Sequence, residues 1–333
     1  MVVQDTTLVT KFSDVFFPYA MKRIDRVKKT NGRFVYYTSA ATACSILEKK
    51  EVWLRNTRLM NDYSELAHGL KCLQEAWDDL EVQAEMNSVF DQIGPDVRER
   101  IQSEFNSRLL ERVLETYILC ISEHGSALRD DDGHLIVDED LHGRLSMWRA
   151  YGGDSSVAFV FNNAPFLNES DAFHAFTSPV MYADPPKFRE EFLCFIKNLA
   201  HNIEWLKEMG PDIFVSSMEA ALVAAILSTK HPAFAEEREW RVIYSPTVMR
   251  SEHIKMEVIA VGGIPQRIQK LRLKNNPDAG LVGITIPEIV NRIIIGPTQE
   301  PNPIAAALVT LLSDLRVPDP HDRIWVSGVP LRK

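Results

Sequence analysis

The sequence has few cysteines, no glycine-rich nucleotide loop and no surplus of positive charge. Its four cysteines, Cys44, Cys72, Cys120 and Cys194, are scattered over 333 residues with no close pair. That spacing excludes a zinc ribbon or a paired-cysteine redox motif, and so few cysteines in a long chain fit a reducing compartment. No Gly-x-x-x-x-Gly-Lys-Ser/Thr run is present, which argues against a P-loop. No Gly-x-Gly-x-x-Gly follows a strand-like run, which argues against a Rossmann dinucleotide site. Gly-x-Ser-x-Gly and His-Glu-x-x-His are missing as well, so neither a nucleophile elbow nor a helical zinc site is expected. The acidic stretch Asp130-Asp131-Asp132-Gly133 has its glycine too early for a calcium loop and reads as a solvated turn. No metal is expected.

The charge balance is acidic, −9 from 46 acids against 37 bases. This argues against broad nonspecific DNA binding, which depends on clustered Lys and Arg releasing counterions, and leaves a local basic groove open. Long apolar runs are absent too. Ala220–Leu227 and Ile304–Leu312 are too short to span a bilayer, and the N-terminus lacks the continuous apolar stretch of a signal peptide. The expected location is the cytoplasm, with no membrane partner.

Hydrophobic and charged residues are present in ordinary globular proportion, 45% and 25%, enough for a core without disulfides or a structural metal. Residues 1–31 read as a short helix that packs on the main domain. Phe34-Val35-Tyr36-Tyr37 reads as a strand, Ala40 to Lys50 as a helix capped by Thr38 or Ser39, and Val52-Trp53-Leu54 as a second strand. Leu66, Leu70, Leu73 and Trp77 recur at helical spacing; Gly94-Pro95 interrupts the pattern, and Val97, Ile101, Phe105 and Leu109 resume it. Further strands are expected at Thr116 to Ser122, Ser156 to Phe161, Arg238 to Tyr244, Ile254 to Val261, Arg292 to Ile295 and Arg323 to Val326. Gly125 to Gly143 reads as an exposed loop. The expected architecture is one α+β domain over residues 1–333. Residues 34–63 and 116–333 form its mixed sheet core, with helical insertions at 64–115 and 187–230.

One constellation carries chemistry. In the run Glu237-Arg238-Glu239-Trp240-Arg241, strand alternation puts Glu237, Glu239 and Arg241 on one face. By composition alone this is a face open to water; the sharper reading is a pocket in which Glu239 works and Arg241 orients it. Asn61 and Asp62 are either helix caps completed by Glu65 or ligand contacts. Trp148 and Tyr151, either side of Arg149, are core residues or an aromatic wall, Tyr151 being the more open.

Taken in order, these pieces resemble a known family. Tyr36-Tyr37-Thr38-Ser39, Val52-Trp53-Leu54-Arg55-Asn56, Asn61-Asp62-x-x-Glu65, Ser146 to Gly152, Val157 to Phe161, Lys230, Glu237-x-Glu239-Trp240-Arg241 and Ile294-Ile295-Gly296-Pro297 together resemble a bacterial domain family of unknown function, numbered twenty-nine seventy-one. That family looks like a remote branch of the ADP-ribosyltransferase fold, related to the DNA-modifying DarT-like toxins. The resemblance implies an ADP-ribosyltransferase-like sheet and NAD as substrate, with a role as a toxin or phage-defence effector. It implies Glu239 as catalytic carboxylate and Glu237 as the upstream acid that positions or deprotonates the acceptor. Tyr36, Tyr37 and Thr38 would hold the nicotinamide ribose or amide, Arg55 or Arg241 the pyrophosphate, and Tyr151 the nicotinamide ring, with Asn61 a further contact. Many relatives carry His where this chain has Tyr36. The acceptor is left open among proteins, DNA ends, RNA bases and small molecules. Two alternatives stand beside this reading: a catalytically silent nucleotide- or partner-binding module, and a metal-dependent nuclease built on Asp62, Glu237 and Glu239.

Overall fold

The computed structural model describes residues 6–59, 64–125, 139–167 and 172–330. The chain is α+β with a mixed sheet. The chain divides into two compact units, one from Met1–Asp25, Thr57–Thr116 and Ser178–Ala235, the other from Arg26–Asn56, Tyr117–Thr177 and Glu236–Lys333.

The first unit is a helical assembly. Ser64–Asp78, Leu80–Ile93 and Val97–Leu114 follow the apolar periodicity, and the breaks fall where local chemistry sets them. Asp79 caps the second of these helices by accepting from the Glu81 and Val82 amides, both at 3.1 Å. Pro185–His201 and Pro211–Leu227 each begin with proline, whose missing N–H costs nothing at a helix start. Their apolar faces meet in a core of Leu73, Met86, Phe90, Ile101, Phe192 and Phe214. Gly69 lies where a Cβ would sit 2.6 Å from the Ile226 carbonyl, so two helix backbones approach as closely as glycine alone allows. Among the described residues no single helix is long and apolar enough to cross a membrane.

The strands in chain order are β1 Arg33–Ser39, β2 Glu51–Asn56, β3 Tyr117–His124, β4 Ser156–Phe161, β5 Ala175–Pro179, β6 Met181–Tyr182, β7 Thr229–Lys230, β8 Glu239–Tyr244, β9 Ile254–Val261, β10 Ile264–Arg272, β11 Val290–Ile295 and β12 Ile324–Val326. In the second unit they line up as β12-β11-β4-β1-β3-β2-β10-β9, with β8 leaving that path to pair with β3. Within this sheet β1–β3, β1–β4, β2–β3, β2–β10, β3–β8, β4–β11 and β9–β10 pair antiparallel and β11–β12 pair parallel, which makes the sheet mixed; β6 and β7 form a separate parallel pair. Ser39 caps the helix Ala40–Lys49, accepting from the Thr42 amide at 3.2 Å. The short helix Leu145–Tyr151 closes one face: Met147 and Trp148 pack on Val35, Tyr37, Ala158, Val160 and Ile294.

Candidate functional site

The strand expected from Arg238 begins one residue later, at Glu239. Glu237 ends a 3-10 turn, Pro232–Glu237, and Arg238 has φ +45°, in the left-handed region. The alternation that put Glu237 on the face of Glu239 and Arg241 therefore does not hold, because a left-handed residue interrupts the two-residue repeat. Tertiary contacts hold that turn. The Glu123 amide donates to the Arg238 carbonyl at 2.8 Å, Arg144 Nη1 donates to the Glu237 carbonyl at 2.8 Å, and the Arg238 guanidinium pairs with Glu139. The nuclease reading, which needs both acids on one face, loses its geometry here.

Glu239 and Arg241 do share a face. Both are buried, at 6% and 4% exposure. Arg241 Nε donates to Glu239 Oε1 at 2.8 Å and Nη2 to Oε2 at 3.3 Å, a two-pronged grip on one carboxylate. A buried carboxylate is stable only with such compensation, so this is not a solvated sheet face. On the other side of the strand Trp240 is fully buried, 5.1 Å from the Phe34 ring. Cross-strand register extends the polar row. Ser122 lies opposite Glu239 and Cys120 opposite Arg241, while Arg55 pairs with Ile118, two residues from Cys120. Arg55, Cys120, Arg241, Ser122 and Glu239 therefore lie on one face of the sheet.

A fork in the sheet opens beside that row. On one edge β3 pairs with β1 only through Ser122–His124 and with β2 only through Tyr117 and Ile118. Residues 119–121 are left between the diverging strands. The gap is a cleft of about 270 Å³ lined by Tyr36, Thr42, Ser45, Trp53, Arg55 and Leu119. Burial pushes the Tyr36 phenol above its ordinary value, partly offset by its hydrogen bond with the Thr38 side chain and by the nearby Arg55 charge. Arg55 Nε also reaches Gln266 Oε1 at 3.4 Å.

Tyr36 and Arg55 both line the fork, but register opposes Val35 to Ser122, so Tyr36 and Thr38 lie on the Trp240 face of the sheet, opposite the face of Arg55, Arg241 and Glu239. Tyr37 points the opposite way from Tyr36 and Thr38. Its hydroxyl accepts the Arg144 amide at 2.8 Å, its ring meets Trp148 edge-on at 4.7 Å, and burial pushes its pKa up to about 12. Tyr151 is exposed and its hydroxyl reaches Glu237 Oε1 at 3.4 Å. Asn61 and Asp62 lie outside the described residues, as does the Asp130 turn.

One cluster escapes sequence reasoning. The stretch expected as an exposed loop ends in a helical turn, Glu139–His142, with Glu139 buried. Glu139 takes Arg144 and Arg238; Asp140 takes Arg33, at 2.6 Å, and His124 Nε2, at 2.9 Å. His124 is wholly buried, and among the described residues its Nδ1 has no hydrogen-bond partner. Desolvation holds its pKa below the ordinary value despite the two acids. Acids and bases far apart in sequence leave no spacing signal, so only the fold reveals this network.

In the other unit, two motif residues meet. Lys230, buried, forms an ion pair with Glu65 at 2.8 Å and lies 4.8 Å from the Phe234 ring.

Residues 147–242 match the family described as Protein of unknown function (DUF2971), the domain family that the motifs resemble. The matched segment carries Trp148, Tyr151, Glu237, Glu239 and Arg241; Tyr36 to Thr38 and Arg55 lie outside it. No curated protein and no solved structure gives a significant match to the chain.

Proposed function

We propose that this protein transfers ADP-ribose from NAD, breaking the bond between nicotinamide and ribose. One arrangement supports the reading: a buried carboxylate, Glu239, oriented by a guanidinium of its own strand, on the same sheet face as Arg55 at the mouth of a forked cleft. In this reaction the C1′–N bond breaks and its electron pair leaves on nicotinamide. A lone pair of the acceptor forms the new bond to C1′, and the acceptor proton passes to Glu237 or to water. The sugar becomes oxocarbenium-like on the way, as in glycoside hydrolysis. A fixed carboxylate stabilises that positive charge without reorganising, which is the role of Glu239. Arg55 suits a phosphate oxygen because its donors form a planar fork, and Tyr36, which lines the same cleft from the other sheet face, offers a hydroxyl to a ribose. As a bacterial toxin or defence effector, the protein would slow host growth on induction, and Glu239→Gln would relieve the effect.

The decisive measurement is nicotinamide release from NAD, followed by NMR. Glu239→Gln should lower the rate on the order of a hundredfold or more. Equal release by both proteins removes Glu239 from the chemistry, and no detectable NAD binding removes the substrate as well. One observation favours a silent nucleotide-binding module as second reading: Arg241 already occupies the Glu239 carboxylate. NAD binding without nicotinamide release identifies that case.

A further inference from the structure

At the β9–β10 edge of the sheet unit lies a groove of about 1110 Å³. Arg250, His253, Lys255, Arg272 and Lys274 line it, against Glu252 as the one carboxylate among the lining residues. This inverts the chain's overall balance of −9. Elsewhere in the same unit Arg33, Arg144, Arg238 and Arg241 each meet a carboxylate. Among the described residues the side chains of Arg250, Lys255, Arg272 and Lys274 meet none. Arg272 stands cross-strand from Glu51, yet Lys270 takes that carboxylate at 3.0 Å and takes Glu257, also at 3.0 Å. Four exposed cations sharing one concavity repel one another, so a bound polyanion would relieve a cost the fold otherwise carries. Apolar surface stands among them. Phe173 lies edge-on to His253 at 6.3 Å, and Met256 is half exposed within the lining.

We infer that this groove binds the backbone of a single-stranded nucleic acid. The chemistry is a positive channel that follows phosphates, with flat or polarisable side chains for unstacked bases. A concave groove with apolar contacts suits a flexible strand better than the convex surface of a duplex, and the inference does not rest on the NAD reading. DNA and RNA share the chemistry.

The test is fluorescence anisotropy of labelled oligo-dT and oligo-rU with the full chain. If the four cations each neutralise a phosphate, affinity should fall roughly fifty-fold between about 50 and about 200 mM salt. The double charge reversal Arg250→Glu/Lys274→Glu should weaken binding about tenfold or more, while Lys71→Glu/Lys207→Glu, in the helical unit, should not. The relative affinities of the two oligomers distinguish DNA from RNA. If the groove variant misfolds on its thermal melt, the salt slope of the unmutated chain carries the test. No binding at the lower salt, equal loss in the helical-unit variant, equal affinity for a duplex, or displacement by polyglutamate at equal charge overturns the inference.

Discussion

Arg241 grips the carboxylate of Glu239, two residues back on its own strand, through Nε at 2.8 Å and Nη2 at 3.3 Å, and both side chains are buried. Removing one partner leaves the other charge without its main compensation in a poorly solvated place. Arg241→Met should therefore destabilise the fold by about 3–5 kcal/mol. Glu239→Gln/Arg241→Met should recover most of that, because no charge of the pair remains. Urea denaturation of the two variants checks this; equal loss in both would show that the arginine acts through packing alone.

The His124 network sets an acid limit on stability. Burial holds the imidazole below its ordinary value of 6.5. Between 6.5 and the lower folded-state value the unfolded chain binds one more proton, so stability falls as pH drops through this window. The hydrogen bond from His124, and then Arg33, hold the Asp140 carboxyl well below its usual range. A second loss therefore follows as pH falls through and below the usual carboxylate value. Thermal melts from pH 8 downward should show the first decline near 6.5, and His124→Gln should flatten it. An unchanged slope in that variant would assign the decline to other groups.

Gly296 is held by space, not by backbone conformation. A Cβ there would lie 2.2 Å from Ser156 Oγ and 2.7 Å from Trp148 Cε3. Gly296→Ala should cost about 1–3 kcal/mol by overpacking. Pairing it with Ser156→Ala should restore only part of this, since Trp148 remains in the way. Chemical denaturation of the three variants measures the difference.

Trp240 anchors β8 from the side opposite Glu239. It is fully buried and meets Phe34 edge to face. Trp240→Ala should cost about 3–5 kcal/mol. Nicotinamide release by the surviving folded fraction should fall with it, since the strand that carries Glu239 loses its seat. A folded variant with full release would separate the strand's packing from its chemistry.

Elements with local causes were legible from residue order. Period-3.6 apolar spacing gave away the helices from Ser64 to Leu114, and Ser39 marked the start of Ala40–Lys49. β-Branched and aromatic runs marked β1, β2, β3, β4, β8, β9 and β11. The strand β10 was missed although a local sign was present: Gly262 and Gly263, both at positive φ, form the two-residue turn that joins it to β9. Tertiary structure alone decided the rest. Arg238 turns left-handed because Glu139, Glu123 and Arg144 hold the segment from outside its own sequence, and this moves Glu237 off the strand face. The fork that exposes Tyr36 and Arg55 exists because β1 and β2 pair with different ends of β3, a matter of register between segments about eighty residues apart in the chain. Whether Glu239 faced water or a buried partner was open in the strand's own alternation. Alternation assigns a face, and only the packing of the whole unit decides what that face meets.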